Sequence, residues 1–243
     1  MKRFLSIMCL VIGLLVLCIV AQAGMRGPLT VVASNANGKW ASWSWNWGNS
    51  PGYTLGAPVE LRSSDNTLLG KINNLSCSMA GDPFLTLNFD VQAVGNANFF
   101  FDTGELLFPT IDQAVAFATA AMTLTADGNG GTVTGLFPGG KAYEATYNSG
   151  TVFADLDSTF SALPNTSATQ NDRVPPGLGN TLIPVPVSSM RAQWSFNLTD
   201  GDGASGTSRY EIQPVPDAGT FSLALSGAAP LLAGLALRRR RRV

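Results

Sequence analysis

The sequence predicts an all-β protein, an antiparallel β-sandwich of jelly-roll-like type, and three observations predict it. Two segments alternate strictly between apolar and polar residues, short apolar runs recur between Gly, Asn, Asp and Pro, and charged residues make up only 13 % of the chain. Period-two alternation puts one face of a strand against a core and the other in water, as two packed sheets require. Sparse charge and abundant turn residues suit many short strands better than a helical bundle.

Residues 1–23 read as a secretory leader forming a signal helix. Lys2 and Arg3 are a basic start, Phe4 to Val20 an apolar run, and Ala21-Gln22-Ala23 the small-residue site that signal peptidase needs. Cleavage is expected after Ala23, by way of Sec-type export. A lipoprotein reading fails, because Leu17 rather than a small residue precedes Cys18.

Residues 24–213 form the folded body. Strands are expected over Leu29 to Ser34, Trp40 to Trp47, Pro58 to Arg62 and Thr67 to Ile72. Phe84 to Gln92 is the first strict alternation, with Leu85, Leu87, Phe89 and Val91 on one face. Asn98 to Phe108 follows. Ile111 to Thr125 is Ala-rich and opens like a helix capped by Thr110, but its end, Met122-Thr123-Leu124-Thr125, has strand character; strand is the favoured reading for the whole segment. Further strands are expected over Thr132 to Phe137, Lys141 to Tyr147 and Val152 to Phe160, parted by Gly-rich turns. Asn165 to Pro186 reads as a long irregular excursion, since Pro175, Pro176, Pro184 and Pro186 break a ladder. The second strict alternation, Met190 to Thr199, buries Met190, Ala192, Trp194, Phe196 and Leu198 on one face, and Thr207 to Gln213 closes the body.

Residues 214–243 differ in kind. Val215, Pro216, Asp217, Ala218 and Gly219 open the segment, Phe221 to Leu237 is apolar throughout most of its length, and Arg238, Arg239, Arg240, Arg241 and Arg242 close it. An apolar stretch of this length is at the lower limit for a transmembrane helix, and arginines that snorkel on the cytoplasmic side help it span. This ordered set resembles the PEP-CTERM class of bacterial sorting signals, in its VPDSG-type variant, from which it departs at Ala218 and in the inserted Phe221. The resemblance implies an exosortase-like membrane peptidase as partner, and a producer of exopolysaccharide or matrix. The protein is then held in the membrane by the C-terminal helix until processed, and afterwards resides at the cell surface or outside it. The body also looks like uncharacterised exported domains that carry such tails.

The formal net charge of −1 hides an asymmetry. Seven of the 15 basic residues lie in the two terminal segments, whereas 15 of the 16 acids lie in 24–213, so the body carries a net charge of −7. A nucleic-acid partner is excluded by that sign. The absence of histidine removes the commonest general base and the commonest metal ligand. Cys77 is the only cysteine of the body and reads as a small core residue. No metal or cofactor is expected.

Three clusters carry chemical interest. Trp43, Trp45 and Trp47 share one strand face, where indoles either form core or stack on sugar rings beside the Ser and Asn residues of the segment. Asp155 and Asp157, two apart, share a face of a strand, and Asp200-Gly201-Asp202-Gly203 is an acidic turn; either pair has calcium-binding chemistry, although turns use the same residues. Asp90, Glu105, Glu144 and Glu211 lie in or near strands, but spacing pairs none of them as glycosidase carboxylates. The expected function is that of a non-catalytic, exported, envelope- or matrix-associated protein. The alternatives are a carbohydrate-binding module using the Trp cluster and a carboxylate-based glycan hydrolase.

Overall fold

The structure is a computed structural model that describes residues 23–215. The predicted signal helix and transmembrane helix lie outside the described residues, and within them no helix is long and apolar enough to cross a membrane. The body is all-β, two antiparallel sheets packed as a sandwich.

The strands, in chain order, are β1 (Gly24–Arg26), β2 (Leu29–Ser34), β3 (Trp40–Trp45), β4 (Gly52–Thr54), β5 (Val59–Arg62), β6 (Leu68–Ala80), β7 (Phe84–Ala93), β8 (Ala97–Ile111) and β9 (Ala114–Thr125). After these come β10 (Gly131–Gly135), β11 (Lys141–Tyr147), β12 (Thr151–Ser158), β13 (Phe160–Ala162), β14 (Ser167–Val174), β15 (Thr181–Ile183), β16 (Val187–Leu198) and β17 (Gly203–Pro214). One sheet runs β12-β11-β16-β8-β2-β3, with β1, β10 and β13 as short additions. The other runs β14-β9-β17-β7-β6-β4, with β5 and β15 added. A folded ribbon joins them: β8 pairs with β16 in the first sheet, and β7, which precedes β8, pairs with β17, which follows β16, in the second.

The two alternating segments form the centre. Leu85, Leu87 and Phe89 from β7 face Trp194, Phe196 and Leu198 from β16, and all six are buried. Phe89 stacks on Phe101 at 4.3 Å between ring centroids and meets Trp194 edge-on at 5.3 Å. Trp194 Nε1 donates to Ser208 Oγ of β17 at 3.2 Å, a polar tie between the sheets that keeps the indole satisfied. Cys77 is buried among these residues, and burial pushes its thiol well above the ordinary range.

β-bulges explain where alternation fails in the longer strands. In β6, Ile72 and Leu75 are both buried because the register with β7 shifts between Ile72 and Asn74. In β8 the bulge falls at Thr103 and Gly104, so Phe101 and Leu106 both face the core. Gly104 has φ +76°, and a Cβ there would lie 2.9 Å from the Gly27 carbonyl oxygen. No other residue meets both conditions without strain.

The Ala-rich segment is strand, with Ala114, Ala116, Ala118, Ala120, Met122 and Leu124 buried on one face. The expected irregular excursion over Asn165 to Pro186 is corrected. Ser167–Val174 is a strand paired along its whole length with β9, and Thr181–Ile183 is a second. The four prolines flank these strands instead of interrupting them, so no ladder hydrogen bond is lost to them.

Candidate functional site

The tryptophans lie where the sandwich opens on one side. β3 ends one sheet and β4 ends the other, and aromatic rings fill the gap between these two edges. Trp43 and Trp45 face inward and are half-buried against the core, while Trp47, just past the strand, is buried. Tyr53 of β4 completes the row, 5.3 Å from Trp43 and 4.7 Å from Trp45 between ring centroids. Trp45 meets Trp47 edge-on at 5.2 Å, and Trp47 Nε1 donates to the Thr103 carbonyl oxygen at 3.0 Å. The Trp43–Trp45–Tyr53 rim therefore offers partly exposed ring surface, and Trp47 anchors it. Ser42, Ser44 and Asn46 are exposed on the opposite face, so they cannot bond the hydroxyls of a sugar stacked on these rings. Trp40, of opposite parity, is 62 % exposed on that outer face. Tyr53 escaped sequence reasoning because its strand is three residues long and shows no periodicity.

The β8 bulge organises a second cluster on the outer face of the same sheet as β3. Arg191 of β16 forms a two-pronged ion pair with Asp102, its Nε donating to Oδ1 at 2.7 Å. The Gly104 amide donates to Asp102 Oδ1 at 3.0 Å, and the Ala192 amide to Thr103 Oγ1 at 3.2 Å. Beside this pair lies a hollow of about 180 Å³ lined by Glu105, Glu144, Tyr147, Ser149, Arg191 and Gln193. β8 and β11 flank β16, which brings together Glu105 and Glu144, residues that spacing alone could not pair. Glu105 accepts from Ser189 Oγ at 2.6 Å and Ser149 Oγ at 3.0 Å, and these bonds hold it below the usual carboxylate range. Glu144 is raised by burial and by Asp155, its cross-strand neighbour on β12. Environments that push two carboxyls apart are what acid–base pairs use, and donors and acceptors in a hollow also suit a hydroxyl-rich ligand. Asp90 and Glu211 belong to the other sheet, the first bonded by Asn73 at 2.9 Å and the second paired with Arg209.

The two expected acid pairs are rearranged. Asp155 and Asp157 do not share a face: Asp155 is exposed, whereas Asp157, with φ +53°, turns inward and is fully buried. A residue in the left-handed region breaks the strand's alternation at that point. In the acidic turn, Asp202 accepts from the Asp127 amide at 2.9 Å and from the Thr199 hydroxyl, and Asp200 accepts from the Gly95 amide at 2.6 Å. These carboxylates brace turns. Of the terminal sites, Ala23 directly precedes β1 and Val215 directly follows β17. Ala21, Pro216, Asp217, Ala218, Gly219 and the arginines from Arg238 to Arg242 lie outside the described residues.

No protein-family model and no curated protein matches the chain. Among solved structures, the enzymatically active domain of tailspike protein 4 from bacteriophage CBA120 aligns at 12 % identity and a TM-score of 0.24 over 68 % of this chain, which spans 20 % of that chain's length. A structure of carbohydrate-binding modules from the β-sandwich superfamily aligns at 8 % identity and a TM-score of 0.22, over 74 % of this chain and 83 % of that one. The infectious bursal disease virus Gx strain structure gives 10 % identity and a TM-score of 0.21, over 80 % and 74 %. Likeness at these scores carries no argument about what this chain does.

Proposed function

We propose that the chain is an exported, non-catalytic protein of the cell envelope or extracellular matrix, delivered by its leader and sorted by its PEP-CTERM-like tail. The observation that carries the reading is the ordered tail, with Val215 to Gly219, the apolar run Phe221 to Leu237 and the five arginines in succession. The placement of the strands supports it: among the described residues the first begins at Gly24 and the last ends at Pro214. A cut after Ala23 and a cut within Val215 to Gly219 would both leave every strand intact. The β7–β8 and β16–β17 ribbon, folded across both sheets, favours a jelly-roll topology for the body. The test is the intact mass of the protein recovered from cells that hold the matching peptidase. The expected masses are a full-tailed membrane form and a form ending near Val215 to Gly219, both starting at Gly24. If every exported molecule keeps its arginines, the tail is a simple anchor.

A second reading, glycan binding, is favoured by the half-exposed Trp43, Trp45 and Tyr53 at one open edge. Flat rings in a row suit the apolar faces of successive sugar units. Replacing Trp43 and Trp45 together with Ala should abolish retention on an exopolysaccharide column; unchanged retention would remove this reading.

A further inference from the structure

At the other open edge of the sandwich, where β12 ends one sheet and β14 ends the other, lies a carboxylate without a partner. Asp157 is fully buried, and neither of its oxygens has a hydrogen bond. Its own amide donates to Asp172 Oδ2 of β14 at 3.0 Å, so a second carboxylate lies against it. Gln170, two residues earlier on β14 and so on the same side, has a buried Oε1 that is also unpartnered. Asp157's charge also reaches the Tyr143 hydroxyl, which makes no hydrogen bond to it. Lys141, the cation whose charge acts on Asp157, donates to Ser158 Oγ at 2.9 Å instead. The two Asp157 oxygens and Gln170 Oε1 are thus buried acceptors with no donor bonded to them.

Burial, followed by the charge of Asp172, pushes Asp157 up to about 7. Protonation would remove its charge and let it donate one hydrogen bond, to Asp172 or Gln170, but would leave its other oxygen unpartnered, so it answers only part of the deficit. A cation answers all of it, since it neutralises the carboxylates and takes up their lone pairs. The donor set consists of oxygen alone, without imidazole or thiolate, which selects a hard ion. Calcium accepts irregular oxygen shells completed by water, whereas magnesium demands near-ideal octahedra. Asp172 also lines a surface hollow of about 460 Å³ with Thr119, Asn171, Arg173 and Pro176, so this carboxylate can be reached from solvent.

We propose that Asp157, Asp172 and Gln170 form a calcium site that fastens the β12 edge of one sheet to the β14 edge of the other. The test uses the full chain in detergent, stripped with EDTA and titrated with calcium chloride by calorimetry, then melted with and without calcium. One calcium should bind per chain with a Kd of about 0.1–1 mM, the range of extracellular calcium modules, and raise the Tm. D157N and D172N should each lose both the heat and the rise, while D157N melts higher than wild type without calcium because the orphan charge is gone. Should D157N fail to fold, D172N and Q170A carry the comparison. The proposal is overturned by the absence of stoichiometric heat up to ~10 mM calcium, by a calcium response that survives in these variants, or by an equal response to magnesium.

Discussion

Phe89 and Gly206 oppose each other across the β7–β17 ladder, and the phenyl ring lies over the glycine. A Cβ on Gly206 would come within 2.3 Å of Phe89 Cζ, so G206A should destabilise by about 1–3 kcal/mol through overpacking. Urea unfolding should show much of that loss recovered in the double variant F89L/G206A, where the shorter side chain vacates the space. Removing the ring altogether, as F89A, should cost about 3–5 kcal/mol, because Phe101, Trp194 and Phe196 all lose their contact with it. The tryptophans divide in the same way. W47A should also cost about 3–5 kcal/mol, since it vacates a buried site and frees the Thr103 carbonyl. W40A, on the exposed outer face, should stay within about 0.5 kcal/mol of wild type. A W40A variant as damaged as W47A would show that Trp40 is covered by something. Alternation placed Trp43, Trp45 and Trp47 on one side, but their depth is set by the partner strand: Tyr53 and the β8 bulge decide which indole is rim and which is core.

At the scale of the element, β9 is the most unusual strand, with alanine at four successive inward positions, Ala114, Ala116, Ala118 and Ala120. The side chain at each is a single methyl, so the opposing layer packs close. A116L should therefore cost about 1–3 kcal/mol, whereas A121V on the half-exposed outer side should be neutral or mildly stabilising through β propensity. Thermal melts of the two variants test the asymmetry, and equal effects would mean the face assignment is wrong. The strands with clean alternation, β7 and β16, were legible to within a few residues of their ends. Strand character was also legible in β9, because its Thr-rich end outweighed the helical propensity of alanine. Three kinds of element were not. The latter half of β6 lies beyond a bulge, which inverts the pattern that a reader follows. β14 is an edge strand in which six of the eight residues are Ser, Thr, Gln, Asn, Asp and Arg, polar because an edge must discourage pairing with other chains. β1, β4 and β15 are each three residues long, too short for any period to declare itself.

For the whole molecule, the sandwich class and its central core were readable from local pattern, whereas the chemistry was not. Glu105 and Glu144, 39 residues apart, meet only because both flank β16, and Asp157 meets Asp172 only because each sheet ends in one of their strands. Pairings of this kind are set by strand order, which no local spacing encodes. The terminal segments make a separate prediction at this scale. Deleting Arg238 to Arg242 should release protein from the membrane fraction, because an arginine cluster is costly to draw across a bilayer. Replacing Pro216 and Asp217 should leave membrane retention intact but stop the shortening. Fractionation followed by immunoblotting distinguishes these outcomes, and loss of retention in the second variant would show that the short motif serves the anchor and not a peptidase.

The strand order of the second sheet has a kinetic consequence. β17, the last of the described strands to be made, is an interior strand with β7 and β9 as its neighbours. Asn88 must therefore wait for Thr207, 119 residues later, before its side of the ladder can close. Chains whose pairing is this non-local fold slowly and cannot finish during synthesis. If the chain is exported as proposed, it gains from such an arrangement, since the sandwich cannot lock shut before residues 203–214 emerge. A version truncated at Asp202 should be captured by proteases and by aggregation, with the flanks of β7 and β9 left unpaired; a compact, protease-resistant product would show that the last strand is not the latch.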